Sequence, residues 1–166
     1  VDEWYGERME RPTRDRARWI AQARLSTEGS HKPLLKMLKD EQTPDFWKAV
    51  SARLLDSWWF ERDVIPSMIG ASTSTNALLR SQVVMALGPA VRAGNTDAAQ
   101  ALVDRLEDPV RSVRVNAAWS LRSHVDPASV TGQELQHFLN LHLDQPSGQM
   151  QKGAWHLGQQ DETSAL

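Results

Sequence analysis

The chain of 166 residues has five histidines, seven tryptophans and no cysteine, so its possible chemistry is quickly bounded. Without a thiol it can form no disulfide, thiolate-metal site, cysteine nucleophile or thioether to a haem. His137 and His142 are five residues apart, so on a helix they do not share a face and cannot chelate as an i, i+4 pair could. His31, His124 and His156 stand alone near helix ends or on a helix face, an ordinary place for an imidazole close to a negative dipole terminus. Ser123, His124 and Asp126 are neighbours in sequence, but a catalytic triad is assembled in space around an exposed nucleophile turn, and none surrounds Ser123. Phosphate loops, dinucleotide glycine fingerprints, two-histidine zinc helices and calcium loops are all missing. No catalytic, cofactor-binding or metal-ligating residue is expected.

The aromatic residues are the second candidate set. Trp58-Trp59-Phe60 closes one helical stretch, while Trp119 and Trp155 recur at related positions further along. They could line a groove and stack on a ligand, or fill the gaps between packed helices; recurrence at related positions favours packing. Val1–Pro12 has no helical stripe, yet it holds Trp4, Tyr5 and Met9, which are costly to leave in water. Gly6 and Pro12 keep this stretch from extending the first helix, so it reads as a docking segment for another domain or subunit. The residues expected to meet a protein partner are therefore Trp4, Tyr5, Met9, Trp58 and Trp59. The arginine-rich run from Arg8 to Arg24 is diluted by Asp2, Glu3, Glu7, Glu10, Asp15 and Glu28 and reads as a solvated, salt-bridged face, with an acidic partner surface as the alternative.

Charge narrows the partners. Nineteen Lys+Arg stand against 21 Asp+Glu, a net charge of −2, which disfavours nucleic acid. Hydrophobic residues make up 40% and charged residues 24%, a globular composition. No apolar run is long enough to span a membrane, and Val1-Asp2-Glu3 does not open a signal peptide. A first residue other than Met fits a processed chain or a piece of a longer one.

The elements that must carry these residues are helical. Apolar residues recur at helical spacing almost throughout, with no period-two run of β-branched residues. Helices are expected near 14–25, 31–39, 45–58, 61–69, 76–88, 97–107, 110–123, 132–143 and 147–158. Thr43-Pro44-Asp45 offers a capping hydroxyl, an N-terminal proline and a first-turn carboxylate, and Thr131 with Glu134 spells a capping box. Four segments closing at Leu54, Leu87, Leu121 and Leu157 align at spacings of 33, 34 and 36, each preceded by a shorter apolar helix. Hairpins repeating at that interval predict an all-α solenoid, because one hairpin cannot bury both its apolar faces. The four leucines should share one core, and Trp119 should be more buried than Trp4.

The clearest copy runs from Asp108-Pro109-Val110-Arg111-Ser112-Val113-Arg114 through Ala117-Ala118-Trp119-Ser120-Leu121 and resembles a HEAT repeat. In that pattern the small pair lets helices approach, and Arg114 can reach back to a turn carboxylate such as Asp108. A narrower resemblance covers most of the chain. Val1-Asp2-Glu3-Trp4-Tyr5-Gly6 and Arg11-Pro12 resemble the stretch after the last haem-attachment motif of exported multihaem c-type cytochromes. In those proteins a degenerate helical-repeat region follows, then tetratricopeptide repeats; Leu157-Gly158 onward resembles a truncated tetratricopeptide start.

The chain reads as an N-terminal extension or docking segment at 1–13 and a HEAT-like domain at 14–166. The resemblance implies a periplasmic or otherwise exported location, where the residues alone leave a cytoplasmic one open. It also implies a non-catalytic packing module of an electron-transfer cytochrome. No cofactor is expected in this chain; haem c would lie on an upstream segment or a haem-bearing partner, since Cys-x-x-Cys-His is absent. A free-standing HEAT-like scaffold holding a peptide is the alternative. A HEAT-like DNA glycosylase is the enzyme reading, and it would need a strongly basic groove that the net charge does not supply.

Overall fold

Short polar turns cut the apolar pattern into short helices, and a computed structural model describes them for residues 12–163. They are α1 (Pro12–Arg24), α2 (His31–Lys39), α3 (Asp45–Leu54) and, after a 3-10 turn at Leu55–Trp58, α4 (Val64–Ala71). Then come α5 (Ala77–Ala86), α6 (Gly88–Arg92), α7 (Thr96–Val103), α8 (Arg111–Ser120), α9 (Val130–Leu141) and α10 (Pro146–Thr163). The described residues include no strand. The architecture is an α-solenoid. Helices α3, α5 and α8 stack side by side as one layer, with α2, α4 and α7 as the other. α1 lies against α2 and α3, and the stack closes with α9 on α8 and α10 on α9.

The two layers share one continuous core. Leu34, Leu55, Met68, Leu87, Leu102, Val113, Leu135 and Leu139 are its fully or almost fully enclosed members. Ala49, Ala52, Ala86, Ala117 and Ala118 are buried along the stacked layer, and their short side chains allow close helix approach.

The expected leucine register holds only in the middle of the chain. Leu87 and Leu121 are buried, but Leu54 is half-buried and Leu157 is 66% exposed. Their places are taken by Leu55 and Trp155, exposed by 0% and 3%. The cause at the first site is helix phase: Leu55 follows buried Ala52 and Ser51 by three and four residues, whereas Leu54 continues the outward row of Phe46 and Val50. The 3-10 turn ends the helix expected over 45–58. The helix expected over 76–88 ends at Ala86, and after Leu87 a short new helix begins at Gly88 with Pro89 in its first turn, where the missing amide hydrogen costs nothing.

Two expected caps are replaced by others. Thr43 Oγ1 donates to Asp40 Oδ2 at 2.8 Å, and no side chain caps α3. At α9 the cap is Ser129, whose Oγ accepts from the Gly132 amide at 3.0 Å. Thr131 instead donates to the Leu106 carbonyl at 3.0 Å, and Glu134 turns to Arg114, so the capping box does not form. Gly132 packs so tightly on the Asp126 carbonyl that a methyl group there would overlap it.

The α5 cap also ties two hairpins together. Asn76 Oδ1 accepts from the amides of Leu78 and Leu79 at 3.0 and 3.2 Å, and its Nδ2 donates to Asp45 Oδ2 at 3.0 Å. Asn76→Ala should cost about 1 kcal/mol, read as a lower urea midpoint with an unchanged m-value. An unchanged midpoint would mean that water caps α5 equally well.

Candidate protein-docking face

Two arginines lock the stacked layer. Arg80 on α5 meets Asp108 of the next hairpin in a fork, Nε to Oδ2 at 2.7 Å and Nη2 to Oδ1 at 2.9 Å. Its Nη1 donates to the carbonyls of Ser74 and Thr75 at 2.7 and 3.0 Å. The two side chains are only 9% and 1% exposed. Burial pushes the Asp108 carboxyl up, but the Arg80 hydrogen bonds, the Val110 amide and the charges of Arg80 and Arg105 outweigh it and hold it below the usual range. Arg114 repeats the arrangement one hairpin on. Its fork takes Glu134, with Nε to Oε2 at 2.8 Å, and its Nη1 donates to the carbonyls of Asp108 and Pro109 at 2.8 and 3.2 Å. Arg114 therefore uses the Asp108 backbone and not its carboxylate, which Arg80 already occupies.

Between α5 and α8 two further hydrogen bonds fix the helices. Ser120 Oγ donates to the Val84 carbonyl at 2.8 Å, and Asn116 Nδ2 donates to Ser81 Oγ at 2.7 Å. With its inner side held, the layer turns another side outward. Phe46 of α3 and Leu78 of α5 are 56% and 46% exposed and flank a groove of about 320 Å³. Val50 and Leu54 extend its apolar wall, while Arg24, Arg53 and Gln82 supply its polar edge. Further along the stack, the Arg122 guanidinium lies over the Trp119 ring, 4.9 Å from its centroid. Burial lowers the pKa of Arg122, and the neighbouring positive charge of Arg92 lowers it further.

A protein-family model for HEAT repeats matches residues 31–122, more than half of the chain. The chain belongs to the HEAT-repeat family. HEAT repeats are helical scaffolds that typically mediate protein interaction, and an outward-facing apolar groove suits that use. Comparison with curated proteins and with solved structures gives no match. The matched HEAT region contains α2–α8, both partners of the Arg80–Asp108 fork and the walls of the groove.

The residues expected to meet a partner are not all where the sequence suggested. Trp58 is 7% exposed and belongs to the HEAT core, so it is corrected from a contact residue to a packing residue. It fills the gap beside His31, their ring centroids 6.5 Å apart. Trp59 is half-buried against the core and meets Phe60 edge-on at 6.1 Å, with Phe60 itself 64% exposed. Trp4, Tyr5 and Met9 lie outside the described residues. So does the comparison of Trp119 with Trp4; Trp119 itself is half-buried.

The histidines are spread over the HEAT stack. His31 Nε2 stands 3.7 Å from Glu61, and His142 Nδ1 lies 2.9 Å from the Phe138 carbonyl. Among the described residues no three His, Asp or Glu side chains converge as a metal site, and no helix is long and apolar enough to cross a membrane. Asp126 Oδ1 accepts from the Ala128 amide at 2.8 Å, a turn role. The groove residues Phe46 and Leu78 escaped the sequence reading because both occupy helix positions that look like core. Their exposure follows from the layer having one free side.

Proposed function

We propose that this HEAT chain is a non-catalytic interaction module that packs against the haem-bearing region of an exported multihaem c-type cytochrome. The observation that carries the interaction reading is the apolar groove between Phe46 and Leu78, edged by arginine and left uncovered by the stack. The cytochrome context rests on the order of motifs from Val1-Asp2-Glu3-Trp4-Tyr5-Gly6 to Leu157-Gly158. In this reading Trp4 and Tyr5 are the aromatic anchors toward the haem-bearing partner. The location is then an oxidising compartment, where a cysteine-free chain has no thiol at risk.

The experiment is isolation of the tagged chain with its native partners, followed by absorbance spectroscopy. A Soret band and c-type haem bands co-eluting with the chain in constant ratio are expected; their absence overturns the cytochrome context. Replacing Trp4 and Tyr5 together by Ala should weaken that association by about 2 kcal/mol, measured by titration calorimetry. Unchanged affinity would place the contact elsewhere.

A further inference from the structure

The groove between α3 and α5 has a charge sign that the whole chain does not. The chain carries a net charge of −2, yet the charged side chains lining the α3–α5 groove, Arg24 and Arg53, are both cationic. Arg53 is paired with Asp56, one turn along its own chain, and both side chains are partly exposed. Arg24 is exposed and makes no ion pair among the described residues. The apolar floor is equally specific. Phe46 of α3 and Leu78 of α5 both line it, more exposed than large apolar side chains ordinarily are, and Val50 and Leu54 continue the row begun by Phe46. A space of about 320 Å³ is large enough to take a large apolar side chain.

From this pairing we infer that the groove between α3 and α5 binds an acidic linear segment of a partner protein, with one large apolar side chain inserted between Phe46 and Leu78. Asp or Glu residues flanking that anchor meet Arg24 and the outer edge of Arg53. The inference rests on the interaction reading above and adds to it the place and chemistry of the contact. Affinity comes from the anchor, whose burial removes apolar surface on both sides from water. The arginines select the sign of the flanking residues and speed the encounter. A basic segment would face unpaired like charge, and that repulsion gives the groove its discrimination. Acidic segments of the haem-bearing partner and of any other protein share this chemistry.

The test is selection of a random 12-residue peptide library on the immobilised full chain, with counter-selection on Leu78→Glu. Leu78 is 46% exposed, so the substitution should leave the helical circular dichroism and melting temperature near wild type. Expected sequences carry Asp or Glu on either side of a Phe, Trp or Leu. Resynthesised, they should bind Leu78→Glu and Arg24→Glu at least ~10-fold more weakly than wild type, and weaken with added salt. Enrichment of basic or charge-neutral sequences overturns the acidic occupant while leaving an interaction module in place. Equal binding to Leu78→Glu, or no enrichment, overturns the groove itself; neither outcome bears on co-elution of haem. Sedimentation of the chain alone covers the remaining occupant: a dimer that Leu78→Glu dissolves would show that a second copy fills the groove.

Discussion

Arg80→Ala should destabilise the protein by about 3–5 kcal/mol, because it strands a buried carboxylate. Asp108 is 1% exposed on its side chain, and both forks of Arg80 end on it. Removing the guanidinium also orphans the carbonyls of Ser74 and Thr75. The double variant Arg80→Met with Asp108→Leu removes both charges and should recover most of that loss. The residue of the loss is the unpaired carbonyls and the Val110 amide that Asp108 caps. Urea melts of the three proteins decide the matter. A single variant as stable as wild type would mean that water reaches Asp108.

The same carboxylate sets an acid limit. Its folded pKa lies below its unfolded value, so its contribution is present above the unfolded pKa near 4 and is lost as pH falls through the folded one. Glu134, lowered by the Arg114 hydrogen bonds against the opposing effect of burial, acts in the same direction. Stability should therefore fall steeply below about pH 4, and more shallowly in the charge-free double variant.

Trp155→Ala should cost about 3–5 kcal/mol, whereas Leu157→Ala should stay within about 0.5 kcal/mol of wild type. The two residues share a helix and lie two positions apart, which turns them to different sides. Trp155 is 3% exposed and joins the core, while Leu157 is 66% exposed. Thermal melts of the paired variants read the register of the last hairpin directly. Equal losses would return Leu157 to the core.

That pair also shows where sequence reasoning reaches its limit. Helix periodicity located α2 over 31–39, and the repeat spacing placed Leu87 and Leu121 correctly. Leu54 and Leu157 failed because leucine identity was followed where helix phase pointed to a neighbour, Leu55 in one case and Trp155 in the other. Counted from the leucines that are buried, Lys48, Arg80 and Arg114 each stand seven residues before Leu55, Leu87 and Leu121. That regularity was available in the sequence, but only with the right starting leucine. The carboxylate partners were not available: Asp108 lies 28 residues beyond Arg80, and Glu134 lies 20 beyond Arg114. The exposure of Phe46 and Leu78 was likewise invisible, since an apolar residue on a helix does not declare which side has a neighbour.

The three junctions of the stacked layer differ in what opposes sliding. The α5–α8 junction is pinned by directional bonds, with Ser120 on the Val84 carbonyl, Asn116 on Ser81, and the buried Arg80–Asp108 fork. The α8–α9 junction has the Arg114–Glu134 fork. At α3–α5, Lys48 forms no ion pair among the described residues, and the hydrogen bond joining the two sides is Asn76 to Asp45 at the exposed rim. Its interior is made of Ala49, Ala52, Val83 and Val84, smooth surfaces that can shift without breaking a bond. This junction is therefore held by packed apolar surface, where the next two are held by buried or half-buried polar pairs. That joint is the floor of the groove, so a side chain entering there would meet alkyl surface and no buried ion pair.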